Sequence, residues 1–144
     1  MKIQFKLIVN EDDFFHGDLI MKVPLLKQEF VFDTYYLVLG KSIENETQLI
    51  EVISDFLLDS KEAILRLQKD EIIYLPIDFS DEYYGVFKVF KGKETFIFEY
   101  GYVLNKPGVT FDKGLLMLGK EEMVKEFELE LTADEIVDSF RLQN

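Results

Sequence analysis

The stretch Tyr83-Tyr84-Gly85-Val86-Phe87-Lys88-Val89-Phe90-Lys91-Gly92-Lys93-Glu94-Thr95-Phe96-Ile97-Phe98-Glu99-Tyr100-Gly101-Tyr102-Val103 decides the fold. Successive side chains of a strand point to opposite faces, so residues two apart share a face. Here Tyr83, Gly85, Phe87 and Val89 fall on one face before Gly92, and Phe96, Phe98 and Tyr100 fall on one face after it. That pattern predicts an antiparallel hairpin over Tyr83–Phe90 and Glu94–Val103. A two-residue turn at Gly92-Lys93 pairs Lys91 with Glu94, Val89 with Phe96, Phe87 with Phe98 and Gly85 with Tyr100. A three-residue turn sets Lys88 opposite Phe96, so the two-residue register is expected.

Outward from the hairpin the chain reads mostly as further strands. Residues 2–9 place Ile3, Phe5, Leu7 and Val9 opposite Lys2, Gln4 and Lys6, a half-buried strand. Leu19–Val23, Glu29–Phe32 and the apolar run Thr34–Leu39, ended by Gly40, are short candidates after the polar loop Asn10–Asp18. Ile72–Leu75 is a strand closed by Pro76 and a polar turn, Asp78–Glu82. Asn105-Lys106-Pro107-Gly108 is a turn, and the apolar stretch Gly114–Gly119 has no decisive pattern. Phe127, Leu129 and Leu131 alternate with Glu126, Glu128 and Glu130 as a one-faced strand.

Two segments have helical spacing instead. Asn45 with Gln48 forms a capping box, and Leu49, Ile50, Ile53, Phe56, Leu57, Ile64 and Leu67 hold a 3.6-residue stripe to about Gln68. Asp59-Ser60 does not break the phase, so one long helix is expected rather than two. Thr132 with Glu135 opens a short C-terminal helix through Ile136, Val137 and Phe140. The expectation is an α+β fold: a mainly antiparallel sheet with one long helix and a short C-terminal helix packed on it, in a single domain over residues 1–144.

Charge and composition narrow the function. The 144 residues include 28 Asp and Glu against 16 Lys and Arg, a formal charge of −12. Forty-eight per cent of residues are apolar, which excludes a disordered acidic tail. Nucleic-acid binding depends on cations that neutralise phosphates, and an acidic body with two arginines, Arg66 and Arg141, argues against it. Anionic membrane surfaces are disfavoured for the same reason, and no apolar run approaches the roughly 20 residues of a spanning helix. The N-terminus alternates polar and apolar residues without the apolar block of a signal peptide, so a soluble, cytoplasmic protein is expected. The absence of cysteine removes disulfides, thiol catalysis and sulfur-ligated zinc.

No catalytic constellation stands out. There is no Gly-x-Ser-x-Gly elbow and no phosphate-binding glycine signature, and abundant carboxylates make any single acidic pair uninformative. His16, the one histidine, sits in an acidic loop with Asp12, Asp13 and Asp18. An imidazole among carboxylates suits a general base or a divalent-metal site, and these four residues are the metal candidates. The plainer reading is an acidic surface loop, since the spacing of a calcium loop is missing. No cofactor is expected, and the chain reads as non-enzymatic.

The acidic surfaces say more. On the long helix, Glu51, Asp55, Asp59 and Glu62 fall within about 80° of arc opposite the apolar stripe, with Leu58 expected in the middle of this acidic face. Like charges at these spacings cost about 0.2–0.5 kcal/mol per pair, so the face suits either simple solvation or a basic partner anchored on Leu58. Residues 121–144 hold eight acids (Glu121, Glu122, Glu126, Glu128, Glu130, Asp134, Glu135, Asp138) against Lys125 and Arg141. Such charge also protects a strand edge from aggregation. The turn Asp78-Phe79-Ser80-Asp81-Glu82-Tyr83-Tyr84-Gly85 combines acids with aromatics in the manner of recognition loops. Asp78, Asp81, Glu82 and the more exposed Tyr84 are its contact candidates.

In size, charge and α+β pattern, with the Asp78–Gly85 turn as the one local element, the chain resembles the small acidic immunity proteins with which bacteria neutralise toxins. That resemblance implies inhibition by occlusion, an acidic face docking on a basic toxin or enzyme surface. The leading expectation is therefore a non-enzymatic protein-binding module with a basic protein partner. The alternatives are a small-molecule or metal-dependent activity centred on His16, and an oligomerising module built on the aromatic hairpin face of Phe87, Phe96, Phe98 and Tyr100.

Overall fold

A computed structural model describes residues 2–24, 26–117 and 123–143. The fold is α+β and mostly sheet: three antiparallel sheets accompany a long helix and a short C-terminal helix. The chain divides into two compact units. One runs to Glu62 and resumes at Asp134, and the other is Ala63–Ala133. No helix among the described residues is long and apolar enough to cross a membrane.

The first unit is built on β1 (Gln4–Ile8), β2 (Asp18–Lys22) and β3 (Glu29–Asp33), which pair antiparallel in that order. Alternation puts Phe5, Leu19, Met21, Phe30 and Phe32 on its buried face, with Ile3 just ahead of β1. The C-terminal helix, α3 (Ala133–Ser139), closes that face. Phe140 meets Phe5 with ring centroids 5.5 Å apart, and the buried Ser139 hydroxyl accepts the Ile3 amide at 2.9 Å. The chain then returns along β1, where Gln143 donates its amide to the Phe5 carbonyl at 2.8 Å.

The run Thr34–Leu39, expected as a strand, forms instead the short helix α1 (Tyr35–Val38). Asp33 decides the matter. Its Oδ1 accepts the Tyr35 amide at 2.8 Å, and the Thr34 carbonyl accepts the Leu37 and Val38 amides at 3.0 and 3.2 Å. An Asx-type turn at Asp33, just before the N-cap Thr34, thereby starts a helix against the strand preference of Tyr35, Tyr36 and Val38. Gly40, at φ +81°, ends the segment in the left-handed region. Thr34 itself is fully buried and clasps the acidic loop: its hydroxyl accepts the Gly17 amide at 2.9 Å and donates to the Phe15 carbonyl at 3.2 Å.

The long helix is continuous as α2 (Glu46–Leu65), and the boundary between the units falls within it. Asn45 Oδ1 accepts the Gln48 amide at 2.9 Å, as the capping box requires. The return bond is displaced by one residue, since Gln48 Oε1 takes the Glu44 amide at 2.6 Å. Leu49, Ile53, Leu57, Ser60 and Ile64 form the buried stripe. Ser60 does not break the helix because its hydroxyl bonds back to the Phe56 carbonyl at 3.0 Å.

In the second unit β4 (Ile72–Phe79), β5 (Tyr83–Lys91), β6 (Phe96–Leu104) and β9 (Val124–Leu131) pair in that order. The expected hairpin is β5–β6, but its register is two residues from the expected one. Val89 faces Phe98, Phe87 faces Tyr100 and Lys91 faces Phe96. Gly92 donates its amide to Thr95 at 2.8 Å, so the tip lies at Lys93-Glu94, one residue beyond the expected turn. A two-residue slip preserves which side chains share a face, and Phe87, Val89, Phe98 and Tyr100 are all fully buried. The strand expected to stop before Pro76 runs through it. As the outermost strand, β4 tolerates a missing N–H, and a bulge between Pro76 and Asp78 absorbs the misfit.

On the other face of this sheet, Glu99 lies directly opposite Glu128, and Lys125 Nζ bridges the two at 3.4 and 3.1 Å. Burial alone pushes the Glu99 carboxyl up, but Lys88 and Lys125 together hold it below its ordinary value. The sequence stretch without a decisive pattern contributes β8 (Leu115–Met117), paired with β7 (Thr110–Asp112). Lys113 and Gly114, at φ +53° and +81°, form the two-residue turn whose twist suits such a hairpin. Leu116 buries itself with Val86 and Val103, flanked by Tyr74, Tyr84, Val109 and Met123. The last part of the Gly114–Gly119 run, and Glu121 and Glu122 of the acidic C-terminal block, lie outside the described residues.

Thr34→Val keeps the shape of the buried side chain but leaves the Gly17 amide without its acceptor. Stability measured by urea denaturation is expected to fall by about 1–3 kcal/mol. An unchanged midpoint would show that the clasp contributes nothing.

Candidate functional site

The acidic face of α2 forms as the helical spacing requires. Glu51, Asp55, Asp59 and Glu62 are all exposed. Among the described residues no lysine, arginine or histidine pairs with any of them. Leu58 is 40 % exposed. Rotation by about 100° per residue sets it at the border of the acidic arc, on the side toward Ile50, rather than at its centre. Ile50 is likewise 40 % exposed, and no sequence signal separated it from the buried stripe. The face is thus a carboxylate strip flanked by Leu58, with Ser54 and Lys61 between Leu58 and Ile50 around the helix.

The Asp78–Gly85 candidates lie in the second unit. Ser80 builds the β4–β5 turn: its hydroxyl donates to the Tyr83 carbonyl at 2.7 Å and accepts the Tyr83 amide at 3.0 Å. Asn105 fastens the turn from outside, its side-chain amide donating to the carbonyls of Ser80 and Asp81 at 3.4 and 3.2 Å. Asp81 and Glu82 project from the tip and are exposed. Tyr84 is half-buried, with the rings of Phe79 and Phe111 edge-on at 5.9 and 5.2 Å.

Asp78 turns toward a tyrosine cluster on the other face of the sheet, where it bonds the Tyr83 hydroxyl. Tyr83 and Tyr102 meet edge-to-face at 5.0 Å, and Tyr100 stacks on Phe127 at 5.1 Å. Burial pushes all three phenols above their ordinary value of 10, and the carboxylates of Asp78 and Glu126 add to the shift. The cluster consists of neutral donors and acceptors near neutral pH rather than bases. Gly85 is required beneath it, because a Cβ there runs into the Tyr100 hydroxyl and Asp78. The aromatic face of Phe87, Phe96, Phe98 and Tyr100 is buried within this sheet rather than presented.

The His16 loop is organised locally. Asn10 Oδ1 accepts the Asp12 amide at 3.1 Å and Asp13 Oδ1 accepts the Phe15 amide at 3.0 Å, so these side chains shape the turn. His16 turns away to Asp33, with Nδ1 3.1 Å from Oδ2, and its ring stacks on Tyr35 at 4.8 Å. Asp18 is the first residue of β2 and lies opposite Asp33 in the sheet. Among the described residues no group of three or more acids and imidazoles is placed to hold a metal ion. Asp33 and Tyr35, absent from the sequence candidates, are the residues that the fold brings to His16.

No family model, curated protein or solved structure matches this chain.

The hydrogen bond that His16 donates to Asp33, opposed by desolvation and supported by the charges of Asp33 and Asp13, raises the His16 pKa above 6.5. A folded-state value above the unfolded one means that this contribution is present below the unfolded pKa and lost as pH rises through the folded one. In an NMR titration the His16 midpoint should lie above 6.5 and move back toward it in Asp33→Asn. The stability difference between wild type and Asp33→Asn should shrink as pH rises from below 6.5 through the raised folded-state midpoint. Identical midpoints would dismiss the pair.

Proposed function

We propose that this chain is a non-enzymatic protein-binding module whose α2 face docks on a basic protein. One observation carries the reading: four exposed carboxylates occupy one helix face, and no described cation pairs with them. Elsewhere the chain neutralises such contacts, as Lys125 does between Glu99 and Glu128. A strip of unpaired carboxylates attracts a cationic surface over a Debye length, about 10 Å at moderate salt, and so accelerates encounter. Leu58 at the edge of the strip and Ile50 beyond it supply apolar contacts that the partner desolvates, which slows departure. Occlusion of a basic toxin or enzyme surface, the mode implied by the resemblance to immunity proteins, is the specific form proposed. The Asp81–Glu82 tip is a second acidic contact of the same kind.

The test compares three immobilised proteins: wild type, the reversal of Glu51, Asp55, Asp59 and Glu62 to lysine, and a control reversal of Glu126, Glu128 and Glu130. Circular dichroism establishes that each is folded. Basic proteins retained by wild type and by the control, released by salt and lost from the α2 reversal, support the reading. For a partner isolated this way, the α2 reversal should slow association about 10- to 100-fold at low salt. An on-rate indifferent to both the reversal and salt overturns it, as does equal retention by all three proteins.

A further inference from the structure

The second unit contains a cleft of about 590 Å³ at the β5–β6 tip, lined by Lys69, Asp70, Lys91, Gly92 and Lys93. Two turns that are distant in sequence make it. Asp70, at φ +70°, reverses the chain after α2, and the Glu71 amide bonds the Gln68 carbonyl at 3.2 Å. The strand that follows pairs Ile72 with Phe90, which sets the Lys69-Asp70 turn beside Lys91 and the β5–β6 tip. The cleft therefore follows from strand register.

Its charge is opposite to that of the chain. Three ammonium groups against one carboxylate leave a local surplus of two positive charges, in a protein whose formal charge is −12. Lys22, Lys88, Lys125 and Arg141 each have a carboxylate partner. Among the described residues Lys69, Lys91 and Lys93 have none, and neither do other surface cations such as Lys2, Lys6, Lys41 and Lys61; what distinguishes the cleft is that three unpaired lysines line one concavity. The Lys91 ammonium is held 5.8 Å from the centre of the Phe96 ring, a contact that positions the charge without neutralising it. Asp70 offsets one of these three charges, the remaining cations around the concavity repel one another, and an anion seated between them relieves that repulsion.

The chemistry of the lining favours a multiply charged anion. A lysine ammonium is a compact point charge with three donors that can reach several oxygens of a tetrahedral phosphate, and it lacks the planar fork with which arginine grips an anion at two points. No arginine lines the cleft. Its volume lies in the range of small-molecule sites. The surplus of two positive charges calls for a ligand bearing at least two negative ones.

We propose that this cleft binds a compact polyphosphate or a phosphate ester of a small molecule, held by Lys69, Lys91 and Lys93. The site lies in the second unit and does not depend on the α2 reading. The lysines are exposed and the surrounding protein is acidic, so affinity is modest, with a Kd of about 0.1–1 mM at low salt.

Titration of the ¹⁵N-labelled full chain with sodium tripolyphosphate tests this by NMR, with sodium citrate as a carboxylate of similar charge. Saturable shifts confined to residues 69–70 and 91–93 are expected. The double variant Lys69→Gln/Lys93→Gln should weaken binding about tenfold or more while leaving the remaining spectrum unchanged. Absence of saturation up to about 10 mM tripolyphosphate, or equal binding by the variant, overturns the site. Equal affinity for citrate overturns the assignment to phosphate.

Discussion

The pairing of β5 with β6 is the constraint on which the second unit depends. Phe87, Val89, Phe98 and Tyr100 are fully buried on one face of that pair. Each such side chain contributes about 1.5–3 kcal/mol when taken from water. Edge-to-face contacts of Phe87 with Phe98 and Tyr100, at 5.6 and 5.0 Å, add directional preference. This pair leaves two free edges, and β4 takes the one on β5 and β9 the one on β6. The opposite face is settled too, since Val86 and Val103 supply the apolar floor that Leu116 covers. Gly85 and Gly101 are the concessions the arrangement requires: a Cβ at the first meets the Tyr100 hydroxyl, and one at the second meets the Val124 carbonyl.

Much of this was legible in the sequence because burial has a period. The α+β class, the β5–β6 hairpin and its buried face, and the unbroken helix through Ser60 all follow from periods of 2 and 3.6. Register did not, because a slip of two residues leaves the period unchanged and only turn geometry distinguishes the alternatives. The short helix α1 was hidden because one side-chain bond at Asp33, not a hydrophobic pattern, decides it. Pro76 within β4 was unreadable without knowing that β4 is an outer strand. Of the candidate site, the α2 strip was visible because it lies on a single helix. The His16–Asp33 pair and the lysine cleft join residues 17 and more than 20 positions apart, and only strand pairing reveals them.

Charge is deployed in this chain in three different ways. Between strands it is neutralised, as Lys88 and Lys125 do around Glu99. In turns it is spent locally on backbone amides, as Asp13 and Asp33 do. On α2 and at the β5–β6 tip it is left unmatched, with opposite signs. Unmatched charge gives no stability to the folded chain, and its opposite sign on the helix face and at the strand tip gives each a different range of partners.

The bulge in β9 bears on how freely this chain can change length. Tyr100 faces Phe127, whereas Gly101 faces Lys125, so Glu126 has no partner of its own in the ladder. Every pair on either side of it would keep its register if that residue were lost, because Lys125 already faces Gly101, the place Glu126 would take in a regular ladder. The segment leading into β9 can thus shorten by one residue at Glu126 without turning Phe127, Leu129 and Leu131 away from their face. A length change at most other positions of β9 shifts part of the strand against β6. Together with the bulge at Ile77 in β4, the β9 bulge is a point of slack in a sheet whose regular ladders are intolerant of insertion and deletion.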